Sequence, residues 1–191
     1  MPARGRIAGL VLLACAARSA PAAAVSFTLT DSEQAEAIHV GERSVTAETF
    51  GSEWVRSTGA GEVTLMTPFH RLALAARQTA FKQNTMKPAD VEKLLREEKG
   101  RLVFWVSLRG PRGDFARFYE PVLLVGEDEL RPSFVQNERS ALREVDGRYL
   151  ARCVYGFPTA TLSSTARVAL VVRDPDGNEV ARFPVDLASA R

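Results

Sequence analysis

The stretch Arg167-Val168-Ala169-Leu170-Val171-Val172-Arg173-Asp174-Pro175-Asp176-Gly177-Asn178-Glu179-Val180-Ala181-Arg182-Phe183-Pro184-Val185-Asp186-Leu187 decides the fold class. Val168, Leu170 and Val172 recur at every second position, and Ala181, Phe183, Val185 and Leu187 continue the same face, so the two runs are strands with a shared buried side. Asp174-Pro175-Asp176-Gly177 joins them. Proline presets φ at the second turn position and glycine follows at the fourth, the pattern of a type I turn closed by a glycine bulge.

Working outward, the same period governs the rest of the second half. Leu102, Phe104, Val106 and Leu108 alternate with Val103, Trp105 and Ser107, so this strand is apolar on both faces at its centre. That pattern predicts cover on both sides, a second sheet on one and a helix of the first half on the other. Further strands are predicted over Phe115 to Val125, interrupted by Pro121, and over Leu130 to Val135 and Tyr149 to Phe157. Short strands at this spacing, ending in such a hairpin, resemble an immunoglobulin-like β-sandwich in pattern, without the paired cysteines and core Trp of antibody domains.

The first half reads differently. Val25 to Thr30 alternates as a strand would, and Thr30-Asp31-Ser32-Glu33 has capping-box spacing, predicting a helix to about Val40 with Ala35 and Ile38 inward and Gly41 as its stop. Thr67-Pro68 places an N-cap before a proline at the first helical position. Phe69, Leu72, Ala73, Ala76 and Ala80 then form one apolar stripe of a helix reaching about Lys82. A further helix starts at Pro88, with Val91, Leu94 and Leu95 on its apolar side, and stops at Gly100. The expected fold is therefore α+β: a strand-plus-helical region over residues 25–100 packed on a mainly antiparallel, immunoglobulin-like β-sandwich over 101–191.

The N-terminus reads as an address. Met1 to Arg6 is short and basic, Ile7 to Ala17 is apolar, and Ser19 to Ala24 is small-residue-rich, the three-part anatomy of a secretory signal peptide. Ala22 and Ala24 suit signal peptidase, giving a leader of residues 1–24 and Val25 as the first mature residue. Alternatively, Leu12-Leu13-Ala14-Cys15 resembles a bacterial lipobox, although Leu13 departs from the usual small or β-branched residue there. That resemblance implies a leader of residues 1–14 and lipidation of Cys15, with acyl chains holding the protein at a membrane surface.

The chain carries 25 Lys+Arg against 23 Asp+Glu, a net charge of +2 that invites a nucleic-acid reading. Arg4, Arg6 and Arg18 all lie in the leader region, and losing them leaves 22 basic against 23 acidic residues, a charge of −1. Cleavage before Cys15 retains Arg18 and gives 23 against 23. The remaining arginines are interleaved with acids, as in Arg96-Glu97-Glu98-Lys99, so no track for a polyanion runs along the chain and no nucleic-acid partner is expected. With 46% apolar residues and two cysteines, the sequence is neither a disordered chain nor a disulfide scaffold.

Chemistry-bearing residues are few. His39 and His70 occur in no HxH or HExxH pattern, and His70, in the first turn of its helix, is expected at the surface or its boundary. Cys153, among Tyr149, Ala151 and Tyr155 on one strand face, reads as an inert buried thiol; a nucleophile paired with His70 is the alternative. The acids of Asp174 to Glu179 and of Glu127 to Glu129 read as turns rather than as a calcium loop. Phe50-Gly51-Ser52-Glu53-Trp54 is read as a loop anchored in the core by Trp54, the alternative being an exposed contact patch. No catalytic, cofactor-binding or metal-ligating set is assigned.

The expectation is an exported bacterial cell-envelope protein or lipoprotein, periplasmic, at the outer membrane or secreted. Its expected role is that of a non-catalytic interaction or accessory component with a protein partner in the envelope. A small-ligand binder with its site between helices and sheet is the first alternative, and a hydrolase using carboxylates or Cys153 the second. N-terminal mass spectrometry of protein from an exporting host is expected to find a chain starting at acylated Cys15 or at Val25; intact Met1 to Ala14 would refute export processing.

Overall fold

Two antiparallel sheets and three helices account for the described residues, 24–191 of the computed structural model, and the period-two runs supply most of the strands. The predicted hairpin forms as β9 (Arg167–Arg173) and β10 (Glu179–Asp186). The amide of Gly177 donates to the Asp174 carbonyl at 3.0 Å, Gly177 has φ +85°, and the register shifts between Glu179 and Ala181, as a turn closed by a bulge requires. These two strands sit in one sheet with β4 (Glu120–Val125) and β5 (Asp128–Leu130), in the order β10-β9-β4-β5.

The facing sheet is built around β3 (Arg101–Gly110) and β8 (Tyr149–Pro158), paired along their full lengths. Its order is β1-β2-β3-β8-β6, with β1 at Val55–Thr58, β2 at Gly61–Met66, β6 at Phe134–Gln136, and β7 (Leu142–Arg143) also on β8. The chain passes between the sheets after β3, after β5 and after β8. Between the sheets, Phe104, Tyr155, Phe157, Leu170 and Phe183 are completely buried, and each such side chain contributes about 1.5–3 kcal/mol of burial.

Several expectations change. Val25 to Thr30 is not a strand, although the Val25 amide donates to the Leu187 carbonyl and its side chain joins the inter-sheet core. Phe115 to Tyr119 is a series of turns, and the strand begins only at Glu120. Pro121 pairs with Val172 on one side while β5 reaches only as far as Leu123 on the other, so its missing N–H leaves no ladder bond unmade there. The single strand expected over Leu130 to Val135 is two: the chain turns at Arg131-Pro132, and β5 and β6 lie in opposite sheets. The hairpin β1–β2 was not anticipated at all, and it carries the β3 sheet across residue 100 into the first half.

The helices form a layer with its own core of Leu29, Ala37, Trp54, Phe69, Leu72 and Val91. Helix α1 (Asp31–Arg43) starts at the expected capping box, with the Glu33 amide donating to the Thr30 hydroxyl and the Thr30 amide to the Glu33 carboxylate. Helix α2 (Pro68–Phe81) and helix α3 (Pro88–Glu98) start at their prolines as predicted, and Gly100 at φ +75° follows α3. The inner face of α1 is Ala37 and Gly41, not Ala35, which is exposed. Gly41 does not stop α1; it lets α1 and α2 cross, because a Cβ there would stand 2.1 Å from the Ala73 carbonyl oxygen. Residues 1–23, including Cys15 and its leader, lie outside the described residues. Among those described, no helix is long and apolar enough to cross a membrane.

The crossing gives a sharp test. Gly41→Ala is expected to destabilise the protein by about 2 kcal/mol in urea, the overlap with backbone outweighing alanine's higher helix propensity. Gly59→Ala, where a Cβ meets nothing within 4 Å, should leave the midpoint unchanged.

Candidate functional site

The site grows from the junction where β2 becomes α2. Thr67 ends the strand and caps the helix, its hydroxyl accepting from the His70 amide at 3.0 Å and donating to the Arg191 backbone oxygen at 2.8 Å. The Trp54 indole N–H donates to that same oxygen at 2.6 Å. Trp54 is thus the core anchor of its loop, 3% exposed, and its ring stacks on His70 with centroids 4.0 Å apart and planes 8° from parallel.

His70, expected near the surface, is 4% exposed. Its Nδ1 lies 3.0 Å from the Leu65 carbonyl oxygen, and since a carbonyl only accepts, Nδ1 carries the proton. Burial lowers its pKa below the ordinary histidine value, with the Arg71 charge acting in the same direction and the Leu65 bond opposing. The ring is therefore neutral, with its lone pair on Nε2. That atom has no hydrogen-bond partner among the described residues, yet no enclosed side-chain nitrogen or oxygen is left unpaired there. His70 lines a groove, and its Nε2 lies beside Gly51 on the same wall, where a Cβ at that glycine would stand 3.8 Å from it.

The groove, of about 370 Å³, runs between α2, the loop over residues 48–52 and the outer face of the β3 sheet. Phe50, Val55, Met66, Leu74 and Trp105 form its apolar wall. It continues past Thr64 and Trp105 over the sheet to Ser107, Arg152 and Val154, a further 520 Å³. This outer face was expected to be covered. Instead the helices cover only the Met66 end, and Trp105 is 42% exposed while its inward neighbours Phe104 and Val106 are buried.

Two arginines stiffen the groove. Arg77 donates from Nε to the Ser44 carbonyl and from Nη2 to the Ala47 carbonyl, both at 3.0 Å, and its guanidinium lies 4.8 Å from the Phe50 ring centroid. No carboxylate pairs with it among the described residues. Arg71 lies 5.7 Å from the Trp105 ring centroid and is paired with Glu98 at 2.9 Å. Glu48, at the rim, is exposed.

The other sequence candidates lie elsewhere. Cys153 is a free thiol facing the inter-sheet core, with its pKa raised by burial. Cys153 borders the far part of the groove, but its side chain, 1% exposed, packs in the inter-sheet core, so the thiol does not meet His70. His39 is exposed on α1, 3.5 Å from Arg43. The Asp174 carboxylate accepts from the amides of Asp176 and Asn178 and from the Asn178 side chain, which together hold it below the ordinary aspartate range; it closes the turn. Glu129 pairs with Arg173 at 2.5 Å. No group of three or more His, Cys, Asp or Glu that could hold a metal ion occurs among the described residues. What sequence reasoning missed is the burial of His70 and the opening at Trp105; the apolar outer positions of β3 were the available signal. No family model matches the chain, and no curated protein matches it.

The buried imidazole makes stability pH-dependent. His70 stays neutral in the folded chain while the unfolded chain protonates near pH 6.5, so the unfolded state gains the proton first as pH falls. The contribution is complete above about pH 6.5 and is lost progressively below it. Between about pH 7.5 and pH 5 the melting temperature of the wild type is expected to fall more steeply than that of His70→Gln. Parallel curves would contradict the assignment.

Proposed function

We propose that this chain is an exported, non-catalytic binding component of the bacterial cell envelope, and that the groove between the helices and the β3 sheet is its binding site. The observation that carries this reading is the buried, tautomer-locked His70, whose Nε2, without a hydrogen-bond partner among the described residues, lies at the wall of a mostly apolar groove with an exposed tryptophan. A few fixed polar groups on apolar walls orient a ligand. Bond-making chemistry needs a nucleophile or an acid–base pair within reach, and the Cys153 thiol lies on the other side of the sheet.

The three-part leader supports export, and Cys15 is the residue that would carry a lipid anchor in the periplasm or at the outer membrane. We read the sandwich as immunoglobulin-like. The orders β2-β3-β8-β6 and β10-β9-β4-β5 correspond to A-B-E-D against G-F-C with an added strand, including the three crossings between sheets. In that fold, binding surfaces ride on a rigid scaffold, and here the helical layer and the 48–52 loop would play that part.

In the exporting host, a photo-crosslinking side chain at Thr64 in the groove is expected to give adducts in the envelope fraction. The same side chain at Val145, fully exposed at the other end of the sheet, should give none. Equal labelling at both positions, or none at either, would refute the reading.

A further inference from the structure

The chemistry of the groove specifies its ligand more narrowly. Resting on the binding reading above, we infer that the groove takes a small phenolic molecule, its ring on the apolar wall of Phe50, Val55, Met66, Leu74 and Trp105 and its hydroxyl donating to Nε2 of His70.

The hydrogen-bond polarity is fixed by the fold. Moving the proton to Nε2 would break the bond to the Leu65 carbonyl and leave two lone pairs facing each other at 3.0 Å. Nε2 therefore accepts, and its complement is a donor. An ammonium is a poor complement, because the guanidinium groups of Arg71 and Arg77 flank the groove and an apolar wall disfavours an unpaired cation. A carboxylate has no proton to give to Nε2. What remains is a neutral hydroxyl or N–H, and a phenol is a stronger donor than an aliphatic alcohol. The aromatic rings of Phe50 and Trp105 favour a flat apolar body, and the volume of about 370 Å³ fits a molecule of one or two rings. The exposed Glu48 at the rim disfavours an anionic substituent on that side, whereas Arg77, with no carboxylate partner among the described residues, tolerates one on its own.

The test uses the full chain labelled with nitrogen-15 and three probes: 4-methylphenol, 4-methylanisole and N-acetyltyrosinamide. The expected result is a saturable change in the His70 Nε2 nitrogen shift with 4-methylphenol, and binding of 4-methylanisole weaker by roughly tenfold or more, since a site built for a hydroxyl rejects the analogue lacking it. Trp105→Ala, at a half-exposed position where the fold is not at stake, should weaken 4-methylphenol by roughly tenfold through lost ring contact. Equal binding of the two methyl compounds, or binding that leaves the Nε2 shift unmoved, would overturn the inference. N-acetyltyrosinamide binding roughly tenfold tighter than 4-methylphenol would transfer the hydroxyl to a tyrosine of a protein partner and overturn the small-molecule assignment. Any of these outcomes alongside groove-specific crosslinks at Thr64 leaves the binding reading standing; loss of those crosslinks removes both.

Discussion

The Arg191 backbone oxygen, accepting at once from the Thr67 hydroxyl and the Trp54 indole, is the joint between the two cores of this protein. The inter-sheet core and the helical core share no buried residue, so something directional must set one against the other. Hydrophobic burial cannot, because it is nearly indifferent to rotation of one layer on the next. Two hydrogen bonds to one acceptor do so, and losing either would strand a buried donor at a cost of about 1–3 kcal/mol. Arg191 reinforces the joint from its other end, with its guanidinium 4.5 Å from the Phe69 ring centroid and paired with Glu36. The position of Trp54 follows, then the stack on His70, then the direction in which Nε2 looks.

The same joint explains why two tryptophans of one chain behave oppositely. Trp54 is drawn under the helical layer by the bond its indole makes, whereas Trp105 lies on the outward side of β3, where α2 covers it only in part, through the Arg71 guanidinium 5.7 Å from its ring centroid. Helix α2 leaves the sheet directly from the end of β2, and its first turns are held there by Thr67 and by the bond from His70 to Leu65. A helix anchored at one corner of a sheet covers that corner. The rest of an apolar outer face is left as a groove rather than a core.

The legible parts of the fold were those whose causes are local. The β9–β10 hairpin carries its turn chemistry and its alternation in one continuous stretch, and the capping residues Thr30 and Thr67 act within three residues of themselves. What escaped depends on partners distant in sequence. Val55-Arg56-Ser57-Thr58 has too little apolar alternation to declare a strand and is one because β2 pairs with it. Gly41 is required by Ala73, 32 positions on, and only the crossing of the helices shows that its role is close approach. The break at Arg131-Pro132 is local, but the change of sheet that it produces is not. At the site, Cys153 was readable from its strand neighbours, whereas His70 was not: a histidine in a first helical turn is ordinary surface until a tryptophan 16 residues earlier stacks on it.

That burial also separates binding from reactivity. A histidine serving as a general base works best with a pKa near the operating pH and with room for the imidazolium that forms. In His70 burial lowers the pKa, the ring is withdrawn from water between Trp54 and Phe50, and the Arg71 guanidinium disfavours a second cation. Its second nitrogen meets a carbonyl and not a carboxylate, so nothing compensates a proton taken up at Nε2. The features that make the ring a poor base are the ones that make it a reliable acceptor. One tautomer and one orientation are what the proposed discrimination between a hydroxyl and its methyl ether requires.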